Sequence, residues 1–350
     1  VSRAGAIRRI VSAAALGGGG ITALGVATYG FLLAEAVIAR KTVGRPHGDN
    51  APEADGLYGS ALGPGPVDAP DEVEPIRMVL LGDSTAAGLG LTDPRETPGA
   101  LIAEGLAAVA ERPVRLTNVA RSGSVSADLR WQVRRALIAS PDIAVIFIGA
   151  NDVTTRVPPA RAVRDLRNAV RRLREAGAEV VVGTCPDLGT VEPIAQPLRW
   201  LARRWSRQLA AAQTVAVVEE GGRTVAFADL LGPEFESSPK EMFGPDRFHP
   251  SAQGYAQAAY AVLPSVGAAL GVWPEAGEHR PDPTRGEGVL PIYVAAAEAA
   301  EAPGTEVAAT RIAGRSLGPR GRWAMLLRRR RGVPAVEHED DEPETVPNAT

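Results

Sequence analysis

The stretch Ile76-Arg77-Met78-Val79-Leu80-Leu81-Gly82-Asp83-Ser84 decides the fold. A short, almost continuous apolar run bounded by a Gly-Asp-Ser turn reads as a strand buried on both faces. The same texture recurs downstream. Residues 114–118, 143–148 (Ile-Ala-Val-Ile-Phe-Ile), 179–183 and 224–228 read as four more strands. Helical patterns over 99–110, 126–139, 159–176, 197–213 and 252–270 separate or follow them. Five strands alternating with helices imply an α/β fold, a parallel sheet covered on both faces by right-handed crossovers. Trp200 and Trp205 are expected on the apolar side of the 197–213 helix, and Trp131 in the core. In such sheets ligands bind beyond the carboxyl ends of the strands.

Outward from this region the texture changes. Arg3, Arg8 and Arg9 precede an uncharged stretch over 10–34, followed by Glu35 and Arg40-Lys41. A single bilayer-crossing helix needs about 20 residues, so 1–41 reads first as a membrane anchor. A cleaved signal with Ala34-Glu35-Ala36 as its small-residue site is the second reading, and a soluble helix the third. The slightly stronger basic cluster on the N-terminal side places the domain outside the cytoplasm. Secretion after cleavage is the alternative. Residues 42–74, rich in Pro, Gly, Asp and Ala, read as a flexible linker. The domain spans 75–273. Residues 274–350 read as a low-complexity, disordered tail with a basic and then an acidic block. The basic block, with Trp323 among its arginines, could alternatively dock on anionic lipid or a partner.

Net charge is −3, so the chain carries no nucleic-acid signature. The single cysteine, Cys185, cannot form an intramolecular disulfide, and no Cys/His set has metal-ligand spacing.

Four polar clusters lie at strand ends or before the last helix. Gly82-Asp83-Ser84 would present a hydroxyl and a free backbone N–H at the top of the sheet. Asn118 through Gly123 ends in a glycine whose N–H can approach a substrate oxygen closely. Gly149-Ala150-Asn151-Asp152 offers an amide NH₂ as a further donor. Asp246-Arg247-Phe248-His249 puts a carboxylate three residues before a histidine, close enough to bond its Nδ1. Of four histidines, His47, His279 and His338 fall in linker or tail, and only His249 falls in the domain. Each cluster has a structural alternative. Asn118 can fix a turn, Asn151-Asp152 and Asp246 can cap helices, and His249 can be a satisfied core residue.

Taken in order, the four clusters resemble the signatures of the SGNH, or GDSL-type, hydrolase superfamily, over roughly residues 75–272. Gly88 after the serine, and Pro250 with Gly254-Tyr255 after the histidine, extend the match. Thr85 stands where many members have leucine. The resemblance implies a flavodoxin-like three-layer α/β/α sandwich. It also implies Ser84 as nucleophile, His249 as base, Asp246 as its orienter, and an oxyanion hole of the Ser84 and Gly123 amides with the Asn151 side chain. The expected activity is a serine esterase or lipase-like acyl hydrolase acting on small-molecule or lipid esters, with no metal or organic cofactor. Carbohydrate O-deacetylase, thioesterase and a tethered non-catalytic binding module are the alternatives. An α/β-hydrolase elbow at Gly82–Ala86 is opposed by the placement of the serine after the first strand and of the acid three residues before the histidine.

Overall fold

In the computed structural model, which describes residues 50–59, 73–272 and three two-residue strands beyond them, the first element is β1 (Gly56–Tyr58). Then come β2 (Ile76–Gly82), α1 (Ser84–Ala87), α2 (Pro98–Ala110), β3 (Val114–Asn118), α3 (Leu129–Ala136) and β4 (Ile143–Phe147). The chain continues through α4 (Ala150–Thr154), α5 (Pro159–Glu175), β5 (Glu179–Gly183), α6 (Leu198–Glu219) and β6 (Arg223–Val225). Three short helices, α7 (Phe227–Leu230), α8 (Gly232–Ser237) and α9 (Pro239–Met242), lead to α10 (Ala252–Ala269). The last strands are β7 (Glu306–Val307), β8 (Arg311–Ile312) and β9 (Arg315–Ser316).

The five expected strands are present and parallel, in the spatial order β3-β2-β4-β5-β6. The sheet departs from a five-stranded parallel one at its edges. β1 pairs antiparallel with β3, and β7 pairs parallel with β6, which makes a mixed seven-stranded sheet. β1 lies inside the stretch expected to be linker. It is held by burial of Leu57 and Tyr58 and by the Tyr58 hydroxyl, which donates to the Ala54 carbonyl at 2.5 Å. The strand expected over 224–228 stops at Val225, because Phe227 begins α7. Of the stretch 274–350, only β7 to β9 are among the described residues. The segment 1–41 lies outside them. Among the described residues no helix is long and apolar enough to cross a membrane.

The apolar runs are explained by burial on both faces. Along β2, Ile76, Met78 and Leu80 face one layer of the core, and Val79 and Leu81 the other. Along β4, Ile143, Val145 and Phe147 alternate with Ala144 and Ile146 in the same way. α2 and α10 supply the first layer, whereas α3 and α5 supply the second. The tryptophans correct the sequence reading. Trp131, Trp200 and Trp205 are exposed. The buried stripe of α6 runs through Ala202, Ser206, Leu209, Ala210, Gln213 and Val217, off the tryptophan positions. The guanidinium groups of Arg130 and Arg134 lie over the Trp131 ring instead, 5.0 and 4.7 Å from its centroid. Arg204 covers Trp200 at 5.6 Å.

β2 is followed by β3 on one side and, after the chain reverses direction across the sheet, by β4 on the other. That reversal opens a crevice at the carboxyl ends of β2 and β4, where ligands bind in open α/β sheets.

Candidate active site

Gly82 closes β2 with φ +139°, and a Cβ there would lie 1.9 Å from the Phe147 carbonyl oxygen. Only glycine fits this approach. Asp83 then caps α1, its carboxylate accepting the Thr85 N–H at 2.9 Å. Ser84 is thereby placed at the first position of a one-turn helix, with no hydrogen bond from its backbone N–H to any described residue. Its hydroxyl lies 3.0 Å from His249 Nε2.

His249 comes from a tight loop between α9 and α10. Gly244 N–H donates to the His249 carbonyl at 2.8 Å, and Ser251 N–H to the Met242 carbonyl at 2.8 Å. Ser251 also caps α10, its hydroxyl accepting from Gly254 N–H. Asp246 organises the turn. One carboxylate oxygen accepts the Phe248 and His249 amides at 3.0 and 2.9 Å, and the other meets His249 Nδ1 at 2.6 Å. An ionised carboxylate only accepts, so Nδ1 carries the ring proton and Nε2 is left to accept from the Ser84 hydroxyl. Burial acts to raise the Asp246 carboxyl. The hydrogen bonds from the His249 ring and the two amides, with the charge of His249, outweigh it and hold the group below its ordinary range. Helix α10 is tied back to the serine side of the site, since the buried Tyr255 hydroxyl donates to the Leu89 carbonyl at 2.8 Å.

Asp83 behaves oppositely. Burial raises its carboxyl to about 6, against the hydrogen bonds from Thr85 and the charge of His249. A carboxyl that binds its proton more tightly when folded costs stability as pH rises from roughly 4 to 6, and the full cost persists above that range. Asp83→Asn keeps an acceptor for the Thr85 amide and removes the charge. It is expected to raise stability by up to about 3 kcal/mol at pH 7.5 and to change it little at pH 4. Thermal melts of both proteins across this range check the sign.

The remaining expected donors lie on the loops that follow β3 and β4, and of the two Asn151 lines the cleft beside Ser84 whereas Gly123 does not. Gly123 has φ +78°, is exposed, and its N–H makes no hydrogen bond to a described residue. Asn151, at the start of α4, donates one hydrogen of its amide to the Ser124 carbonyl at 3.1 Å, which leaves its second hydrogen available. Asn118 does not join them. Its side chain accepts Ala120 N–H and donates to the Ala86 carbonyl, so it fixes the turn after β3.

Three polar residues hold these loops: Asp152, which the sequence reading offered as a helix cap, and Gln132 and Gln213, which it missed. Asp152 is buried and accepts the Ser126 N–H and hydroxyl, the latter at 2.8 Å. Gln213 links the ends of β4 and β5, donating to the Ile148 carbonyl and accepting Cys185 N–H. Gln132 reaches from α3 to both backbone groups of Gly82 and to Ser124. The available signal was a glutamine on an otherwise apolar helical stripe, at Gln132 between Leu129 and Ala136 and at Gln213 between Leu209 and Val217.

Beside Ser84 and His249 a cleft of roughly 850 Å³, counted with its open mouth, runs under the carboxyl ends of β4, β5 and β6. Phe147, Phe227, Phe235, Phe243, Leu188 and Leu231 give it apolar walls. Phe147 and Phe227 meet edge-to-face at 5.0 Å, as do Phe235 and Phe243 at 4.9 Å. Among the described residues no group of His, Cys, Asp and Glu is arranged to hold a metal ion.

Residues 80–257 match the GDSL-like lipase/acylhydrolase family, and a curated GDSL-like esterase of Mycobacterium tuberculosis is 42% identical over 254 residues, 71% of this chain and 79% of that protein. The chain belongs to this family. It is an SGNH-fold hydrolase of the esterase type. Among solved structures it is similar to TesA, at 24% identity with a TM-score of 0.45, covering 55% of this chain and 99% of that one. It is also similar to an acetylxylan esterase from Geobacillus stearothermophilus, at 21% identity with a TM-score of 0.42, covering 55% and 94%.

Proposed function

We propose that the protein hydrolyses carboxylic esters through an acyl-Ser84 intermediate, with the acyl group lodged in the phenylalanine-lined cleft. The observation that carries this reading is the relay Asp246 Oδ2–His249 Nδ1 at 2.6 Å and His249 Nε2–Ser84 Oγ at 3.0 Å. Ser84 Oγ attacks the ester carbonyl as its proton passes to Nε2. Asp246 orients the ring and stabilises the imidazolium. The tetrahedral oxyanion is received by the N–H groups of Ser84 and Gly123 and by the Asn151 amide. Collapse expels the alcohol, which takes the proton from Nε2. Water activated by His249 then releases the acid. The apolar walls favour an acyl substituent larger than acetyl, which ranks a lipid-type or aliphatic ester above a carbohydrate acetyl ester.

A series of p-nitrophenyl esters of increasing chain length tests activity and acyl preference together. Activity is expected to rise beyond acetate. A maximum at acetate would favour the deacetylase reading, and hydrolysis of none of the series, with no fluorophosphonate labelling of Ser84, would favour a binding module. Asn151→Ala is expected to lower kcat by about 10²–10³ while leaving a folded protein, because one oxyanion donor is removed. Its melting temperature and kcat, measured on the same sample, check both parts. The expected tether through residues 1–41, with the domain outside the cytoplasm, belongs to the same proposal. Membrane fractionation with and without those residues tests it.

A further inference from the structure

At the carboxyl end of β2 the sheet runs out of partners on one side. β3 ends at Asn118, opposite Leu80, yet Gly82 still points its N–H and carbonyl toward that side. Val119 N–H reaches the Leu80 carbonyl and Arg121 N–H the Gly82 carbonyl, but no backbone group reaches Gly82 N–H. A buried, unpaired N–H is costly, and an unanchored one would leave the nucleophile turn free to shift. Gln132 fills the missing place. Its Oε1 accepts Gly82 N–H at 2.7 Å, and its Nε2 donates to the Gly82 carbonyl at 2.8 Å. The side-chain amide thus pairs the one N–H that the ladder leaves open and adds a second donor to the carbonyl that Arg121 N–H already reaches.

The same Nε2 donates to Ser124 Oγ at 3.2 Å. Ser124 follows Gly123 in sequence, and its carbonyl accepts the Asn151 side chain. One buried amide therefore touches the turn that carries Ser84 and the loop that carries Gly123, and through Ser124 it reaches Asn151. We infer that Gln132 is a positioning residue, which sets the spacing of the three oxyanion donors without touching substrate. This rests on Ser84 being the nucleophile. A misplacement of 1 Å in such a constellation lowers rate on the order of 10²-fold.

The test uses the full chain with Gln132→Ala and Gln132→Glu. Active sites are counted by titration with a fluorophosphonate, so that misfolded molecules drop out of the rate. The expected result for Gln132→Ala is a fall in kcat per titrated site of about 10–100-fold, with KM changed less than about twofold. An unchanged kcat per site, with only a lower melting temperature or yield, would show a purely structural role and overturn the inference. If Gln132→Ala fails to fold, Gln132→Glu decides the matter. Its carboxyl can donate to the Gly82 carbonyl only when protonated, so the ratio of its kcat to that of the wild type is expected to fall as pH rises. A ratio independent of pH overturns the inference. Failure of the wild type to label at Ser84 would instead overturn the proposed nucleophile, so the two failures are distinct.

Discussion

Ser84→Ala is expected to lower kcat by about 10⁶-fold and to leave the fold intact. The Ser84 hydroxyl makes its one side-chain hydrogen bond to His249, and it lines the cleft rather than the packed core. Its removal opens no cavity of consequence, so the melting temperature should stay near that of the wild type. Covalent labelling by a fluorophosphonate should vanish with it. His249→Ala should lose nearly as much, and the double variant little more than either single one, because nucleophile and base act as a unit. Esterase assays on purified, folded variants read these losses directly. Wild-type-like turnover in Ser84→Ala would mean that another group attacks the ester.

Gly82→Ala carries the largest expected effect on stability. Its positive φ imposes about 1–3 kcal/mol of backbone strain on a residue with a Cβ. The 1.9 Å approach to the Phe147 carbonyl forces β2 and β4 apart, an overpacking cost of about 1–3 kcal/mol more. Together about 4 kcal/mol is lost from a total near 5–15 kcal/mol. For a domain of this size that lowers the melting temperature by about 8–16 °C. Gly177→Ala separates the two causes. Its φ is +88°, but a Cβ there meets nothing within 4 Å, so only the strain remains. Equal losses in the two variants, measured by thermal denaturation, would show that the contact with Phe147 is relieved at no cost.

The five central strands were legible because each is buried on both faces and therefore continuously apolar. β1 was not. Three residues in a Pro- and Gly-rich surrounding carry no periodicity, and the burial of Leu57 and Tyr58 depends on a partner strand distant in sequence. The tryptophans misled because hydrophobicity was taken as a proxy for burial, whereas α3 and α6 bury smaller residues and stack arginines on the exposed rings. For the site, the sequence order of the clusters was informative, since strand ends of a parallel sheet share one edge. Ser84, Asp246 and His249 are brought together there by hydrogen bonds, and Gly123 and Asn151 lie on the adjoining loops. Gln132 and Gln213 stayed hidden because they bond mainly to backbone groups, which leave no mark in a pattern of side chains, and the role of Asp152 did because its partner Ser126 is 26 residues away in sequence.

The antiparallel pairing of β1 has a practical meaning for where the folding unit begins. A strand border with free amides and carbonyls is a template for self-association, and β1 occupies that border of β3. Asp55, just before it, also receives the Asn118 amide at 2.7 Å, at the threshold of the Gly123 loop. A shortened protein starting at residue 75 would keep every residue assigned to chemistry and still uncover this seam. Insoluble aggregates and a slackened Gly123 loop are the expected outcome, and a start ahead of Ala54 avoids both.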